Sequence, residues 1–118
     1  MKKENRSKGN FGEEIAIKYL LQKDYKILEK NFTTKLGEID IIAKDKDIVT
    51  FIEVKLRRNS SYGHPFEAVD YRKQKKIINV AKLYAKYKNL YNTQFRFDII
   101  EVYSDSNDIN HIIDAFWT

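Results

Sequence analysis

GEIDIIA at residues 37–43 and FIEVK at residues 51–55 are the segments that decide how this chain folds. In both, charged side chains recur at every second position between apolar ones, which is typical of a strand with one polar face. The polar residues 44–47 between them predict a short turn. The two segments therefore predict a β-hairpin with acids and a lysine on one face.

The register of this hairpin determines whether the acids meet. If residues 46–47 form a two-residue loop, Asp40 falls directly opposite Glu53, and a four-residue loop keeps both on one face. A three-residue loop would separate them. Opposed residues have Cβ atoms about 5 Å apart, a suitable span for two carboxylates that share a cation. The same alternation predicts that the apolar residues of the first strand face away from the acids: Ile39, Ile41 and Ala43.

Two carboxylates and an ammonium group on one strand face indicate a metal-dependent phosphodiester-cleaving site. Carboxylates this close repel, so one stays protonated unless a cation binds between them. Mg²⁺ and similar ions take oxygen ligands and leave positions open for water and phosphate oxygens. Lys55 would then lie beside the nucleophile or the scissile phosphate. The alternative is a cross-strand salt-bridge cluster on a solvated face, since charge on one strand face is common.

Four motifs occur in order along the chain and support the nuclease interpretation: GNFGE at residues 9–13, GEID at 37–40, EVK at 53–55 and RFD at 96–98. In this order and spacing the chain resembles the YraN family of predicted endonucleases over nearly its whole length. That family belongs to the PD-(D/E)XK nuclease superfamily and is similar to archaeal Holliday-junction resolvases. Ile39 stands where the superfamily motif has proline, a departure that its members often tolerate.

The resemblance implies a restriction-endonuclease-like α/β domain and assigns roles to residues. Asp40 and Glu53 would be the metal ligands, Lys55 the catalytic lysine and Glu13 the acid of the first helix. We expect the Val54 backbone carbonyl to add a ligand and the ion to be Mg²⁺ or Mn²⁺. The substrate would be DNA, including branched or junction DNA, and a resolvase activity would require a symmetric homodimer.

The apolar patterns predict one α/β domain over residues 1–118, with a mixed sheet of about five strands flanked by helices in the order α-β-β-β-α-β-β. Residues 1–8 would form a flexible basic extension. Asn10 predicts the N-cap of the first helix, which would end near Gln22. Glu13 lies three residues after Asn10, so it has two interpretations: a site acid, or one half of a capping box.

The second predicted helix, within residues 71–88, is basic and contains no acid. At 100° per residue its outer arc is formed by one set of cations: Arg72, Lys75, Lys76, Lys82 and Lys86. Such a face could follow phosphates with salt-sensitive affinity, or it could be only a solvated surface. Lys73 and Gln74 turn toward the packed side, where they could reach phosphate beside Lys55 or merely end the helix.

Further phosphate contacts are expected from Arg57 and Arg58, which follow the EVK motif and open a polar loop over residues 57–65 that could fold over substrate. His64 in that loop has no partner at metal-ligand spacing and is expected to be a surface or packing residue. In the last part of the chain, Arg96 and Asp98 are expected to make a structural ion pair rather than to join catalysis.

Composition excludes several classes of protein. The 118 residues carry 22 Lys and Arg against 17 Asp and Glu, a net charge of +5, and this balance favours an anionic partner. With no cysteine, disulfide scaffolds and thiolate metal sites are excluded, and a reducing compartment is favoured. Because no apolar run approaches the roughly 20 residues that span a bilayer and no signal peptide is evident, we expect a cytoplasmic protein without membrane contact.

These observations predict a Mg²⁺- or Mn²⁺-dependent endonuclease that cleaves DNA. Two other functions remain open from the residues. One is a nucleic-acid-binding module that keeps the nuclease fold but does not cleave. The other is an interaction protein in which the charged cluster is structural.

Overall fold

The structure is a computed structural model that describes residues 2–58 and 69–117, with the backbone alone for residues 2–10. Its elements are α1 (Lys2–Gln22), β1 (Lys26–Thr34), β2 (Gly37–Asp45), β3 (Ile48–Arg57), α2 (Tyr71–Tyr87), β4 (Gln94–Tyr103) and β5 (Ile109–Phe116). This order is the predicted one. Most of the predicted loop around His64 lies outside the described residues.

The five strands form one sheet in the order β1-β2-β3-β4-β5. Neighbouring strands are antiparallel except β3 and β4, which are parallel. Parallel neighbours require a crossover connection, and α2 lies in the segment that links these two strands. The predicted mixed sheet flanked by helices is confirmed.

Each face of the sheet is covered by one helix. Alternate side chains of the central strands enter two separate cores, because successive residues of a strand point to opposite faces. Phe51 packs in the core under α2, and its neighbour Ile52 packs in the core under α1. The buried residues of α2 lie opposite its basic arc: Ile77, Val80, Ala81 and Tyr84.

The β2–β3 hairpin has a two-residue loop at residues 46–47, the first of the alternatives that the sequence left open. Asp45 pairs with Ile48, and the register runs from there as far as the pair of Ile41 and Ile52. The next positions along the two strands are Asp40 and Glu53, as expected. Beyond this point β2 continues beside β1, and β3 continues beside β4.

The prediction that Ile39, Ile41 and Ala43 share one face is wrong for Ile39. Ile41 and Ala43 pack in the core under α1, whereas Ile39 packs in the core under α2. The alternation breaks at Asp40, where the facing strand places Asn31 at a left-handed φ of 52°. The change of face therefore coincides with an irregular backbone position on the neighbouring strand.

The predicted start of the first helix is also wrong. The helix α1 begins at Lys2, eight positions before Asn10, so Asn10 lies within the helix and is not its N-cap. The early residues are mostly Lys, Glu and Arg, which favour helix even without an apolar face. Because Glu13 then lies inside the helix, the capping-box interpretation is wrong as well. The side chains of residues 1–10 are not described, so the expected mobility of residues 1–8 stays a prediction.

The helix α2 begins at Tyr71, as the sequence pattern predicted, directly after a capping residue. Asp70 is its N-cap, and the Asp70 carboxylate accepts the backbone N–H of Lys73 at 2.9 Å. The five cations of the predicted basic arc are all exposed on its outer side. Among the described residues, neither helix combines the length and the apolar character that crossing a bilayer requires.

Candidate metal centre

The candidate centre lies where β2 and β3 stop pairing with each other. Instead of continuing the backbone ladder, Asp40 uses its side chain: the Oδ2 atom accepts the backbone N–H of Val54 at 2.8 Å. The N–H and C=O of one residue point to the same side of a strand, so the Val54 carbonyl is directed toward β2 as well. This places the predicted backbone ligand on the same strand edge as the predicted carboxylate ligand.

Glu53 meets two lysines from different elements. Only 7% of Glu53 is exposed, and its Oε2 atom lies 3.7 Å from the Nζ of Lys55 and 3.7 Å from the Nζ of Lys73. Lys55 follows on the same strand face, whereas Lys73 extends from the first turn of α2. The prediction that Lys73 turns toward the sheet is therefore confirmed in its geometry.

Glu13 and Glu38 complete an acidic group around Asp40. Carboxylate oxygens of the three residues lie within 4.8 Å of one another. The helix α1 can supply Glu13 because the preceding residue, Gly12, packs directly on β3. A Cβ atom at Gly12 would lie only 3.6 Å from the Val54 side chain. Glu13 therefore lies beside Asp40, and its role as a site acid stays a prediction.

Gly37 sets the path of β2 into this group. Its φ of 144° lies in a region that residues with a side chain rarely adopt, and it ends the turn after β1. Glu38 follows Gly37 directly and lies two residues before Asp40. The Glu38 Oε1 atom accepts a hydrogen bond from the Thr33 hydroxyl at 3.1 Å. The local turn thus fixes where both acids of β2 are presented.

The electrostatics of this group favour a bound cation. Burial, followed by the neighbouring charge of Glu53, raises the pKa of Asp40 from its ordinary 3.8 to about 7. Burial and the charge of Asp40 likewise raise the pKa of Glu13. A divalent cation bound between these carboxylates would oppose both shifts. The donor set consists of oxygen atoms, which suits Mg²⁺ or Mn²⁺.

Other predicted phosphate contacts lie outside this group. The Gln74 amide donates to the Val69 carbonyl at 2.8 Å, so it stabilises the start of α2. Arg57 points to the neighbouring strand, where its Nε atom donates to the buried Glu101 at 3.1 Å. Arg58 is exposed at the end of β3. Whether these three contact phosphate stays a prediction.

Sequence reasoning missed two acids near the site. Glu38 shares a strand with Asp40 at a spacing of two, and that spacing was a usable signal for its place in the group. Glu101 is paired with Lys55 in the β3–β4 register and accepts from both Tyr103 and Asn110. Its signal is an acid between two buried apolar residues of β4, Ile100 and Val102, which periodicity alone could not connect to β3.

The expected ion pair of Arg96 and Asp98 is present on the face of the sheet that α1 covers, whereas Glu53 meets Lys73 of α2. The guanidinium donates to both Asp98 oxygens at 2.9 Å, and it also donates to Asp45 and to the Tyr25 hydroxyl. This group lies in the part of the sheet covered by α1. The Arg96 guanidinium is thus hydrogen-bonded to side chains of the protein itself, which is consistent with the structural role predicted for the ion pair.

Fold and site together define a class: a small α/β protein with a five-stranded mixed sheet and an acid–lysine group at the point where its central hairpin opens. A family model described as "Uncharacterised protein family UPF0102" matches residues 12–102. The chain therefore belongs to the UPF0102 family, and the resemblance to YraN proteins is confirmed at the family level.

Curated relatives agree along nearly the full length. A UPF0102 protein of Clostridioides difficile (strain 630) is 55% identical over 112 residues, covering 95% of this chain and 98% of the relative. A UPF0102 protein of Clostridium beijerinckii is 51% identical, with 98% of each chain covered. One from Caldanaerobacter subterraneus subsp. tengcongensis is 49% identical, covering 98% of this chain and all of the relative.

Proposed function

We propose that this protein is a Mg²⁺- or Mn²⁺-dependent nuclease that hydrolyses phosphodiester bonds in DNA. The observation that carries the proposal is the convergence of Asp40, Glu53 and Lys55 at one point of the sheet, where a backbone N–H orients one acid and two lysines flank the other. The resemblance to PD-(D/E)XK nucleases supports the same assignment.

Each side chain has a definable task in that reaction. Asp40 and Glu53, with Glu13 and the Val54 carbonyl, would hold the cation. When bound, a divalent cation neutralises phosphate charge and lowers the pKa of a coordinated water. Lys55 would orient the attacking water or stabilise negative charge that develops on the phosphate, and Lys73 provides a second positive charge on the other side of Glu53.

Metal binding is the first test. Calorimetric titration of the wild-type protein with Mn²⁺ should give saturable binding. Asp40→Asn and Glu53→Gln should abolish this binding while circular dichroism shows an intact fold, since each change removes charge but keeps the side-chain size. A wild-type protein that takes up no Mn²⁺ would eliminate the proposal.

Cleavage is the second test. Branched, flapped, single-stranded and duplex DNAs are incubated with Mn²⁺ and the wild-type protein, Lys55→Ala or Lys44→Ala. Lys44 is an exposed lysine near the closed end of the same hairpin, so its replacement makes the same change of charge away from the acids. We expect Lys55→Ala to lose at least about 100-fold in rate, as when one transition-state donor is removed. Equal rates for the two variants would contradict the role of Lys55.

A binding module without cleavage is the second candidate, and the basic outer face of α2 favours it. DNA binding by this face should fall steeply with salt. Binding should weaken after four exposed residues are replaced with Ala: Arg72, Lys75, Lys76 and Lys82. DNA binding without cleavage on every substrate, with Mn²⁺ bound, would favour this candidate over the nuclease.

The substrate shape and the assembly are part of the proposal. A junction substrate offers two equivalent strands, and a symmetric dimer would present two candidate centres to them. Light scattering with and without junction DNA tests this point. A protein that cleaves flaps or single strands as a monomer would remove the resolvase-like assignment and leave the nuclease assignment in place.

A further inference from the structure

A second feature of α2 lies outside the candidate metal centre. Between α2 and the end of β5 is a groove of about 250 Å³. Its two aromatic walls are Tyr71, at the start of the helix, and Trp117, which follows β5. Lys75 and Lys82 line it as well, together with the side chains of Gln74 and Asn79.

The two aromatic side chains of the groove are largely exposed to solvent. Trp117 is 73% exposed and Tyr71 is 68% exposed. The Trp117 ring is held in place, because its Nε1 atom donates to the Asp114 carboxylate at 2.8 Å. The Lys75 ammonium lies 5.2 Å from the centroid of the Tyr71 ring. The groove therefore offers ordered aromatic surface with positive charge beside it.

We infer that this groove binds an unpaired nucleobase of a single-stranded DNA segment, with Lys75 and Lys82 receiving the adjacent phosphates. Aromatic side chains beside cations are how proteins hold single strands, since every base has a π-face and every nucleotide a phosphate. Charge complementarity favours this occupant: residues 71–88 contain no acid. A base inside a duplex has both faces stacked and cannot enter.

This inference rests on the proposed function and narrows its substrate. Lys73 lies at Glu53, and the next residue along α2, Gln74, lines the groove. A strand that crosses the beginning of α2 would therefore have a phosphate at the acids and an unpaired base in the groove. The substrate is then DNA with an unpaired segment close to the cleaved bond.

Trp117 is the sole tryptophan of the chain, so its fluorescence reports on the groove directly. The protein is titrated with oligothymidylate and with a blunt duplex of equal phosphate number, both in EDTA so that no cleavage occurs. We expect the single strand to quench the emission and the duplex to leave it nearly unchanged. Equal quenching by both, or quenching by inorganic polyphosphate, would overturn the inference.

Variants separate stacking from charge. Tyr71→Ala should weaken oligothymidylate binding by about 5- to 150-fold, the range expected for one lost base–aromatic stack. Tyr87→Ala is the matched control, because Tyr87 is 69% exposed on the same helix but lies outside the groove. Equal affinity of the two variants would refute the groove as a base site.

A second pair of variants keeps the test independent of the fluorescence signal. In an anisotropy assay with labelled oligothymidylate, Trp117→Phe should bind within about three-fold of wild type and Trp117→Ala should lose affinity as Tyr71→Ala does. Wild-type affinity in Trp117→Ala would refute the inference. Because these assays contain no metal, their failure leaves the cleavage test of Lys55 unaffected. Conversely, quenching without any cleavage would retain the groove and remove the nuclease.

Discussion

Two groups of buried charge on this sheet differ in what surrounds their acids. At the candidate metal centre, Asp40 has other carboxylates as neighbours and one backbone N–H as a donor. On the face that α1 covers, Asp98 is fully buried but receives Arg96, the His111 ring at 2.8 Å and the Asp114 backbone N–H at 3.0 Å. Among the described residues, the lysines of the first group lie at Glu53 rather than at Asp40, whereas Arg96 lies directly against Asp98.

The pKa shifts of the two acids follow this difference. Burial by itself would raise the pKa of either carboxyl group. For Asp98, hydrogen bonds from His111, Arg96 and the Asp114 backbone outweigh burial and hold the pKa below its ordinary value. For Asp40, burial and Glu53 act together and raise it. An acid that the fold already neutralises is structural, whereas one that lacks a counter-charge is suited to bind a cation.

The largest effect that distinguishes the two groups is on stability. Asp98→Asn would leave Arg96 facing an uncharged amide while its ion pair with Asp45 is retained, so we expect the free energy of unfolding to fall by about 3 kcal/mol, the lower end for a broken buried pair. Asp40→Asn should cause no such loss, because the amide oxygen can still accept the Val54 N–H. Urea denaturation of both variants in EDTA measures this difference. Comparable losses in the two would show that both groups are structural.

A smaller effect concerns pH. The folded pKa of Asp40 lies above its unfolded value, so folding is favoured while the group is protonated and this contribution is lost as pH rises from about 4 to about 7. Asp40→Asn removes the free-energy cost of ionising this buried carboxyl group. In EDTA we expect the variant and wild type to be equally stable near pH 4, and the variant to be the more stable of the two at pH 8.

Denaturation curves across this pH range provide the check, and a difference that does not change with pH would contradict the shift. Added Mn²⁺ should reverse the order at pH 8, because a ligand that binds only the folded wild type stabilises it. Asp98→Asn serves as the comparison, since a carboxyl group with a lowered pKa loses its stabilising effect in acid instead.

The smallest effect concerns the second lysine at Glu53. The side chain of Lys73 is 40% exposed, so its ion pair with Glu53 is screened and weak. Because its ammonium competes with a cation for that carboxylate, Lys73→Ala should tighten Mn²⁺ binding by about two- to five-fold. Lys76→Ala, at an exposed position of the same helix, is the control. Weaker Mn²⁺ binding in Lys73→Ala would show that Lys73 supports the metal site.

Much of this structure could be predicted from the periodicity of apolar residues in the sequence. The order of the elements and the buried side of α2 follow from the spacing of apolar residues along the chain. The alternation of polar and apolar residues in the hairpin is compatible with the two-residue loop at residues 46–47. The meeting of Asp40 and Glu53 was predictable for the same reason, since a hairpin register is set by its turn. Where the backbone departs from regular geometry, as at Asn31 opposite Asp40, the pattern failed for Ile39.

By itself, the sequence determined the hairpin, its charged face and the basic helix, because each depends on residues close along the chain. Only the tertiary structure decided that Glu13 and Lys73 join the acids and that Tyr71 and Trp117 enclose one groove. These contacts join helices and strands far apart in the chain, and no local repeat encodes how closely such elements pack.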